Sequence, residues 1–595
     1  MKRLILAGLS LLFSISIFAV DISYELKMSE PHTHYFEVRM EISGSNAAEM
    51  DLKMPVWTPG SYLVREFARH VEGVRAINSN GDLLEVNKTN KNTWKVQSEG
   101  ADRVIVNYMV YAYELSVRTS YLDATHGYIN GTSVFFYLDG AVNEPVELTV
   151  IPYKQWSRVS TGLTLKSSSN GRWIYTAPNY DVFADAPIEM GNHDVISFQA
   201  AGVEHRVAIY GPGNHDEEAL KKDLATVVES CTDVFGENPN QSYLFIIHNT
   251  ATRGGGLEHL NSTTLLVNRW TYQPRNSYVN FLSLAAHEYF HLWNVKRIRP
   301  AALGPFNYDE ENYTRLLWVM EGFTSYYDEY LLVDMGFLTQ EAYLKRLGGS
   351  INVVENRPGN AVQPVADASF DAWIKFYRPN ENSFNTTVSY YSKGAVLAAL
   401  LNLEILNATE GKKDLDNVMQ ILYNRFYKQQ GRGFTDQEFQ DVVEEVAGME
   451  MDAFFNDYVN GTQTPNYDRY LRYVGLKLET QTYPDEGPSL GASFNDNMEV
   501  TRVNRGSAAY SGGLNVEDEL LAVNGFRINS TRQLKKILSD MKAGDQISLL
   551  VSRDGMLTTL EMNLIPNNRM TYSIGKVEKP TKQQQALYEA WLGEE

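Results

Sequence analysis

The chain has 595 residues, of which 43% are hydrophobic and 21% are charged, and its formal net charge is −20. This composition is typical of a globular protein, and the length predicts three or four domains rather than one. The acidic balance, without a long basic cluster, argues against nucleic acid or an anionic membrane surface as a partner.

Residues 1–19 have the pattern of a secretory signal peptide. Lys2 and Arg3 precede an apolar run from Leu4 to Phe18, and Ala19 is a small residue of the kind found at cleavage sites. The run is shorter than the roughly 20 residues that span a bilayer, although a membrane anchor is the alternative. No later stretch reaches eighteen apolar residues. We therefore expect an exported protein, periplasmic or secreted, without stable membrane insertion after cleavage.

Residues 20–200 are predicted to form an N-terminal all-β domain. Apolar and polar residues alternate in short runs, and turn residues such as Thr58-Pro59-Gly60 and Asn80-Gly81 punctuate them. This pattern is typical of a β-sandwich. The aromatic loop Trp57–Tyr62 could form a wall of a cleft, although an ordinary structural turn is the simpler interpretation.

Between residues 201 and 345 the pattern changes to strands that alternate with helices, which predicts an α/β domain. Two predicted strands, Val207–Tyr210 and Tyr243–Ile247, flank a predicted helix over residues 217–235. A glycine run, Gly254–Gly256, follows and precedes another strand. Glycine lets the backbone come close to a ligand, so this run is a candidate binding element.

The most informative motif is the HExxH sequence formed by His287, Glu288 and His291. Residues four apart on a helix share a face, so both imidazoles can hold one Zn²⁺. Glu288 lies towards the open side of such a metal. There it can take a proton from a water whose pKa the metal has lowered, and return it to a leaving amine. The alternative is a core helix that happens to carry two histidines, but buried polar groups without partners are costly.

Glu321 is the candidate third metal ligand. It is an isolated charge in the apolar, aromatic run Leu316–Tyr327, which predicts a second buried helix. An unpaired carboxylate there would be costly, whereas a metal ligand is compensated. A salt bridge to Lys296 or Arg297 is the alternative. Acidic residues 309–311 compete for the ligand role, but their polar surroundings predict a solvated loop.

Residues 346–474 are predicted to be mostly helical. Tyr391 stands at the start of an apolar helix predicted over residues 394–406. Its phenol could donate a hydrogen bond to the oxyanion that forms when water adds to a carbonyl. Core packing of an aromatic ring is the alternative for this residue taken alone.

Residues 475–567 are predicted to form a small domain of strands with a helix at residues 531–542. Ser507–Gly525 resembles the part of PDZ domains from the short helix to the VNG turn, and Leu490–Phe494 loosely matches their carboxylate-binding loop. PDZ domains bind an extended peptide as an added strand and hold its C-terminus with backbone N–H groups. A structural cap is the alternative. Residues 568–595 form the predicted C-terminal tail.

Several of these pieces together resemble a known family. His287–His291 with Glu321-Gly322-Phe323 is similar to the gluzincin metallopeptidases. Gly255–His259, Tyr391-x-Lys393-Gly394 and the Pro55–Arg65 loop, followed by a PDZ-like domain, resemble the M61 glycyl aminopeptidase family. The resemblance implies a multidomain fold. It consists of an N-terminal all-β domain, a thermolysin-like α/β catalytic domain with a helical domain, and a C-terminal PDZ domain.

The resemblance also implies an activity, namely zinc-dependent release of N-terminal Gly or Ala from peptides, with one Zn²⁺ per chain. By analogy with the related M1 aminopeptidases, Glu258 matches the glutamate that binds the substrate amine, and Tyr391 matches the transition-state tyrosine. Gly255 and Gly256 accompany Glu258 in the expected substrate-binding set. One departure from the M1 pattern is His259, which stands where M1 enzymes have Asn.

Two other functions remain open on the sequence. One is a zinc endopeptidase, in which Glu258 has only a structural role in its loop and the PDZ domain binds the ends of substrate proteins. The other is a non-catalytic envelope scaffold that binds C-terminal peptides and keeps zinc as a structural staple.

Overall fold

A computed structural model describes residues 20–252, 254–482 and 487–594. The predicted signal peptide therefore lies outside the described residues. Within the described part of the chain, no helix is long and apolar enough to cross a membrane.

The chain divides into two compact units, and a short segment within the sequence of the first unit belongs to the second. Among the described residues, one unit holds those up to Val56 together with Glu66–Asn192, and the other holds Trp57–Arg65 together with those from His193 onwards. A nine-residue segment from within the N-terminal β region thus belongs to the unit that carries the HExxH motif. The domain boundaries at residues 200, 345, 474 and 567 stay predictions.

The regular secondary structure of the first unit is mostly β-strand. Its elements are β1 (Asp21–Lys27), β2 (Tyr35–Ser43), β3 (Glu49–Lys53), β4 (Val71–Asn78), β5 (Leu83–Leu84), β6 (Val86–Asn90), β7 (Thr93–Gln97), β8 (Arg103–Tyr111), β9 (Tyr121–Leu122), β10 (His126–Ile129), β11 (Tyr137–Leu138), β12 (Val146–Ile151), β13 (Arg158–Thr161), β14 (Thr164–Ser169), β15 (Arg172–Ala177), the short helix α1 (Tyr180–Ala184) and β16 (Ile188–Gly191).

These strands form an eight-stranded sheet and two four-stranded sheets. The order in the large sheet is β14-β15-β12-β1-β2-β8-β4-β5. Along β2 every second side chain is buried, which is the period of a strand with one face on a core. The predicted N-terminal all-β domain is confirmed.

The second unit begins with an α/β layer. Its elements are β17 (Asp194–Ala200), β18 (Val203–Tyr210), α2 (Glu217–Phe235), β19 (Ser242–Thr250), β20 (Gly255–Glu258), β21 (Ser262–Asn268) and α3 (Arg275–Phe290). The sheet order is β17-β18-β19-β21-β20, with β18, β19 and β21 parallel and the two outer strands antiparallel. The inner seven residues of β19 are all buried, as expected for a strand covered on both faces.

Helices follow this layer. They are α4 (Leu317–Met320), α5 (Gly322–Asp334), α6 (Gln340–Glu355), α7 (Val365–Phe370), α8 (Ser383–Thr386), α9 (Tyr390–Ala408), α10 (Leu415–Ile421), α11 (Asp436–Ala447), α12 (Asp452–Phe454) and α13 (Tyr467–Tyr473), with π-helical segments at Leu422–Gln429 and Phe455–Val459. The apolar helix α9 is buried along most of its length and packs against α5, which directly follows Glu321.

The remaining elements are β22 (Leu476–Thr482), β23 (Ala492–Phe494), β24 (Val500–Val503), α14 (Ala508–Ser511), β25 (Glu519–Val523), β26 (Phe526–Arg527), α15 (Thr531–Ser539), β27 (Gln546–Arg553), β28 (Met556–Asn563), β29 (Met570–Lys576) and α16 (Lys582–Leu592). β23 pairs with β24, and β26-β25-β27-β28 form a second sheet around an apolar core of their own. The C-terminal helix α16 is docked, since Tyr330 donates a hydrogen bond to the Trp591 carbonyl oxygen at 2.8 Å. The predicted multidomain fold class is confirmed.

Candidate active site

The two histidines at the end of α3 and Glu321 direct their ligand atoms to one place. His287 Nε2 lies 3.1 Å from His291 Nε2, and Glu321 Oε2 lies 3.5 and 3.2 Å from these two nitrogens. A tetrahedral metal with bonds of about 2.0–2.1 Å separates its ligand atoms by about 3.3 Å. The triangle therefore has the size that a zinc ion requires.

The other ring nitrogens fix the tautomers of both imidazoles. His287 Nδ1 lies 2.7 Å from Asp328 Oδ2, and His291 Nδ1 lies 2.6 Å from the carbonyl oxygen of Asn294. A carboxylate and a carbonyl accept hydrogen bonds, so each Nδ1 carries the proton and donates it. Each ring then presents an Nε2 lone pair to the Glu321 carboxylate. The two Nε2 atoms and the Glu321 carboxylate are three acceptors that face one another. A cation between them would compensate this arrangement, so these residues fit a divalent metal.

Burial gives the carboxylates of this cluster different properties. Glu321 is 3% exposed and Glu288 is 5% exposed. Burial raises the pKa of the Glu288 carboxyl above its usual range. Burial acts on Glu321 in the same sense, but the positive charge that the two imidazoles carry when they are protonated outweighs that effect and holds its pKa below the usual range. Glu321 is therefore the ionised carboxylate, as a metal ligand must be.

Asn294 connects the segments that carry the ligands. Its side-chain amide donates to the carbonyl oxygens of Val319 and Met320, each at 3.0 Å. Met320 is the last residue of α4, so Glu321 follows directly. The backbone carbonyl oxygen of Asn294 accepts the hydrogen bond from His291 Nδ1, and the side chain of Asn294 holds the segment that carries Glu321. Asn294 thereby fixes two of the three ligands relative to each other.

A close helix crossing places Glu321 and Tyr391 beside the same site. A Cβ on Gly322 would lie 2.5 Å from the Cα of Gly394, so the backbones of α5 and α9 touch at these glycines. Glu321 directly precedes Gly322, and Tyr391 lies one turn before Gly394. The centroid of the Tyr391 ring is 6.3 Å from that of His287, with the planes at 23°. The predicted tyrosine therefore reaches the histidine cluster.

The glycine run lies against the candidate general base. Gly255 has φ of +134°, in the region that favours glycine. A Cβ on Gly256 would overlap the side chain of Glu288, so only glycine leaves room for that carboxylate. The close backbone approach expected from the sequence is thus present, and the group approached is Glu288.

Glu258 ends the same strand, β20, and is 3% exposed. Single side-chain ligand atoms of Glu258, Glu288 and His291 all lie within 4.8 Å of one another. Glu258 Oε1 is buried and accepts no hydrogen bond from the described residues. A buried carboxylate oxygen without a donor is suited to a cationic partner such as an ammonium group.

The structure brings together every residue that the sequence singled out for this site, and their individual roles stay predictions. The Arg297 guanidinium, one alternative partner for Glu321, instead donates to the carbonyl oxygens of Leu260 and Leu292 and to Asn240 Oδ1.

Sequence reasoning missed Asp328 and Asn294. Asp328 follows Glu321 by seven residues, two turns along the same helical face, so the helical period was a usable signal for it. Asn294 acts partly through its carbonyl group, which any residue has. No sequence pattern marks such a role.

Comparisons with known proteins match three parts of the chain to family profiles. Residues 23–192 match the profile of the peptidase M61 N-terminal domain, residues 280–397 that of the M61 glycyl aminopeptidase, and residues 479–564 that of a PDZ domain. No curated protein sequence matches the chain.

Among solved structures, an aminopeptidase N family protein from Idiomarina loihiensis is 33% identical, with a TM-score of 0.88, over 95% of this chain and 100% of that one. An M1 zinc metallopeptidase from Deinococcus radiodurans is 15% identical, with a TM-score of 0.49, over 75% of this chain and 95% of that one.

The fold and the site define a metallopeptidase of the aminopeptidase class, with a metal cofactor. The chain belongs to the M61 glycyl aminopeptidase family.

Proposed function

We propose that the protein is a zinc-dependent aminopeptidase that removes small N-terminal residues, Gly or Ala, from peptides. The observation that carries the proposal is the position of Glu258. Its buried carboxylate lies within 4.8 Å of Glu288 and His291, so an ammonium group bound to Glu258 would place the adjoining carbonyl, about 2.5 Å from the amine, beside these two side chains. A site with this extra carboxylate favours a free amine over a chain interior.

The residues divide the reaction between them. His287, His291 and Glu321 would hold the Zn²⁺, which when bound polarises the scissile carbonyl and lowers the pKa of the attacking water. Glu288 takes a proton from that water and later gives it to the leaving amine. Tyr391 donates a hydrogen bond to the oxygen on which negative charge develops. Glu258 holds the substrate ammonium and so orients the first peptide bond.

Replacing Glu258 with Gln tests this assignment. The change keeps the shape but removes the charge that pairs with the ammonium. Truncating a buried charge pair costs about 2–5 kcal/mol, so we expect kcat/KM for Ala- or Gly-reporter peptides to fall by about 30-fold or more. The measurement is steady-state hydrolysis of free and N-acetylated forms of the same peptide.

The wild-type protein should cleave only the free form. Equal cleavage of the acetylated peptide would contradict the aminopeptidase assignment and favour an endopeptidase. Glu237→Gln is a matched control, because Glu237 pairs with Lys428 at the surface and is not one of the candidate site residues.

The C-terminal region supports a second binding function. A groove of about 530 Å³ lies between β23 and α15, and Leu490, Leu534 and Leu538 contribute its apolar lining. We propose that it binds the C-terminus of a peptide as a strand added to β23, with the carboxylate held by the loop before that strand.

We expect a hexapeptide that ends in an apolar residue with a free carboxylate to bind at least about tenfold more tightly than its C-terminal amide, since the amide lacks the charge. Fluorescence anisotropy on the full chain measures both affinities. Binding should persist after metal chelation. Equal affinity for the acid and the amide would contradict recognition of a free C-terminus and favour a structural role for this domain.

A further inference from the structure

The segment Trp57–Arg65 lies within the N-terminal β region of the sequence but belongs to the unit of the candidate active site. Its residues Thr58-Pro59-Gly60-Ser61 form a tight turn, in which the Ser61 N–H donates to the Thr58 carbonyl oxygen at 3.0 Å. Proline is in the second position and Gly60, with φ of +86°, is in the third. These are the residues that a type II turn requires. The sequence therefore specifies the local shape of this segment.

The backbone of this turn contacts the carboxylate of Glu258, which is the proposed amine-binding group. A Cβ on Gly60 would lie 2.5 and 2.7 Å from the two carboxylate oxygens of Glu258. Such distances are too short for any side chain, so the Gly60 backbone already stands in van der Waals contact with Glu258. One side of the amine site is thus made by this turn.

Tyr62 follows the turn and is 1% exposed. Its ring packs edge-on against Trp373 and Tyr377, at centroid distances of 5.7 and 6.3 Å. Burial raises the pKa of the Tyr62 phenol, and the charges of Glu321 and Glu258 raise it further. Tyr377 in turn packs against Phe376, whose ring stacks on that of Tyr391 at 5.4 Å, so packed aromatic rings join Tyr62 to the candidate active site.

The segment is held firmly in this position. Trp57 Nε1 donates to the Asn307 carbonyl oxygen at 2.8 Å, and its ring meets those of Phe306 and Trp373 at 5.7 and 5.1 Å. Anchored aromatic contacts of this kind make the wall rigid, so it cannot move aside for a large ligand at low cost.

The consequence rests on the proposed aminopeptidase function. In a peptide the ammonium group and the first side chain are attached to the same carbon. A side chain whose ammonium is bound to Glu258 therefore begins only a few ångströms from that carboxylate. We infer that Gly60 and Tyr62 form a wall of the pocket for the first side chain, and that Tyr62 limits this pocket to the size of Gly or Ala.

Shortening Tyr62 should therefore change selectivity. We expect Tyr62→Ala and Tyr62→Leu to raise the ratio of kcat/KM for Leu-reporter over Ala-reporter peptides by at least about tenfold, the range in which one or two methylene groups are discriminated. Tyr62→Phe keeps the ring and should keep the ratio. Tyr113→Ala is a matched control, because that tyrosine is 54% exposed.

A binding measurement separates this inference from the proposed function. Calorimetric affinities of L-alaninamide and L-leucinamide, measured in the Glu288→Gln background, require no turnover. Tyr62→Ala or Tyr62→Leu should improve leucinamide relative to alaninamide by the same factor, and thermal unfolding identifies which of the two variants is folded.

An unchanged binding ratio in the folded variant would overturn the inference, and so would a wild-type protein that prefers leucinamide. Failure of the proposed function would appear differently, as absent hydrolysis of free-amine peptides by the metal-loaded wild-type protein.

Discussion

Replacing Glu288 with Gln is expected to lower kcat by about 100- to 10,000-fold, the usual contribution of a general base. The glutamine has nearly the same shape, so it still fits against Gly256, where a Cβ would already overlap the side chain. It cannot accept the proton of the attacking water. Metal binding and KM should change little, because Glu288 is not one of the three convergent ligands.

The measurements are steady-state kinetics on an Ala-reporter peptide and the metal content of the purified variant. Glu237→Gln makes the same chemical change at a surface ion pair and should retain wild-type activity. A Glu288→Gln variant that keeps its metal and more than a tenth of wild-type kcat would remove Glu288 from the mechanism. Loss of the metal would instead show that the side chain is structural.

The second large effect is expected at Glu321. Glu321→Gln removes the only negative charge among the three ligands and can turn an amide N–H₂ towards the imidazole nitrogens that lie 3.5 and 3.2 Å away. We expect metal affinity to fall by at least about 100-fold, which is more than the loss expected from removing a residue that only hydrogen-bonds to a metal ligand. Activity should fall in parallel, and excess Zn²⁺ should restore part of it.

Asp328→Asn is expected to lower the metal affinity less than Glu321→Gln does. It leaves all three ligands in place but replaces the carboxylate that lies 2.7 Å from His287 Nδ1. Loss of such a partner weakens metal binding by about 10- to 100-fold. Competition with a chelator measures both affinities, and Asp334→Asn at the exposed end of α5 is the control. Metal affinity in Glu321→Gln equal to that of the wild type would exclude Glu321 as a ligand.

Local patterns in the sequence were sufficient to predict the candidate metal site. His287 and His291 are separated by one helical turn, so any helix over that stretch brings them together. Glu321 was found because a lone charge in an apolar helix requires a compensating partner. The all-β region followed from strand periodicity and turn residues, which depend on neighbours close in the chain, whereas the PDZ-like region was predicted from the resemblance of Ser507–Gly525 to PDZ domains.

The sequence did not show which surfaces meet the site. The Thr58–Ser61 turn was predicted correctly as a turn, but its contact with Glu258 joins residues nearly 200 positions apart in the chain. The crossing of Gly322 over Gly394 and the pairing of Asp328 with His287 are likewise tertiary contacts.

The sequence by itself therefore determined the candidate metal ligands, the candidate general base and the order of the folding elements, because these depend on helical and strand periods and on the cost of burying charge. Only the tertiary structure decided what surrounds them: which carboxylate contacts which imidazole, and which turn lies against Glu258. Those contacts depend on backbones that approach within van der Waals distance across the fold. Glycine permits such an approach without specifying its partner.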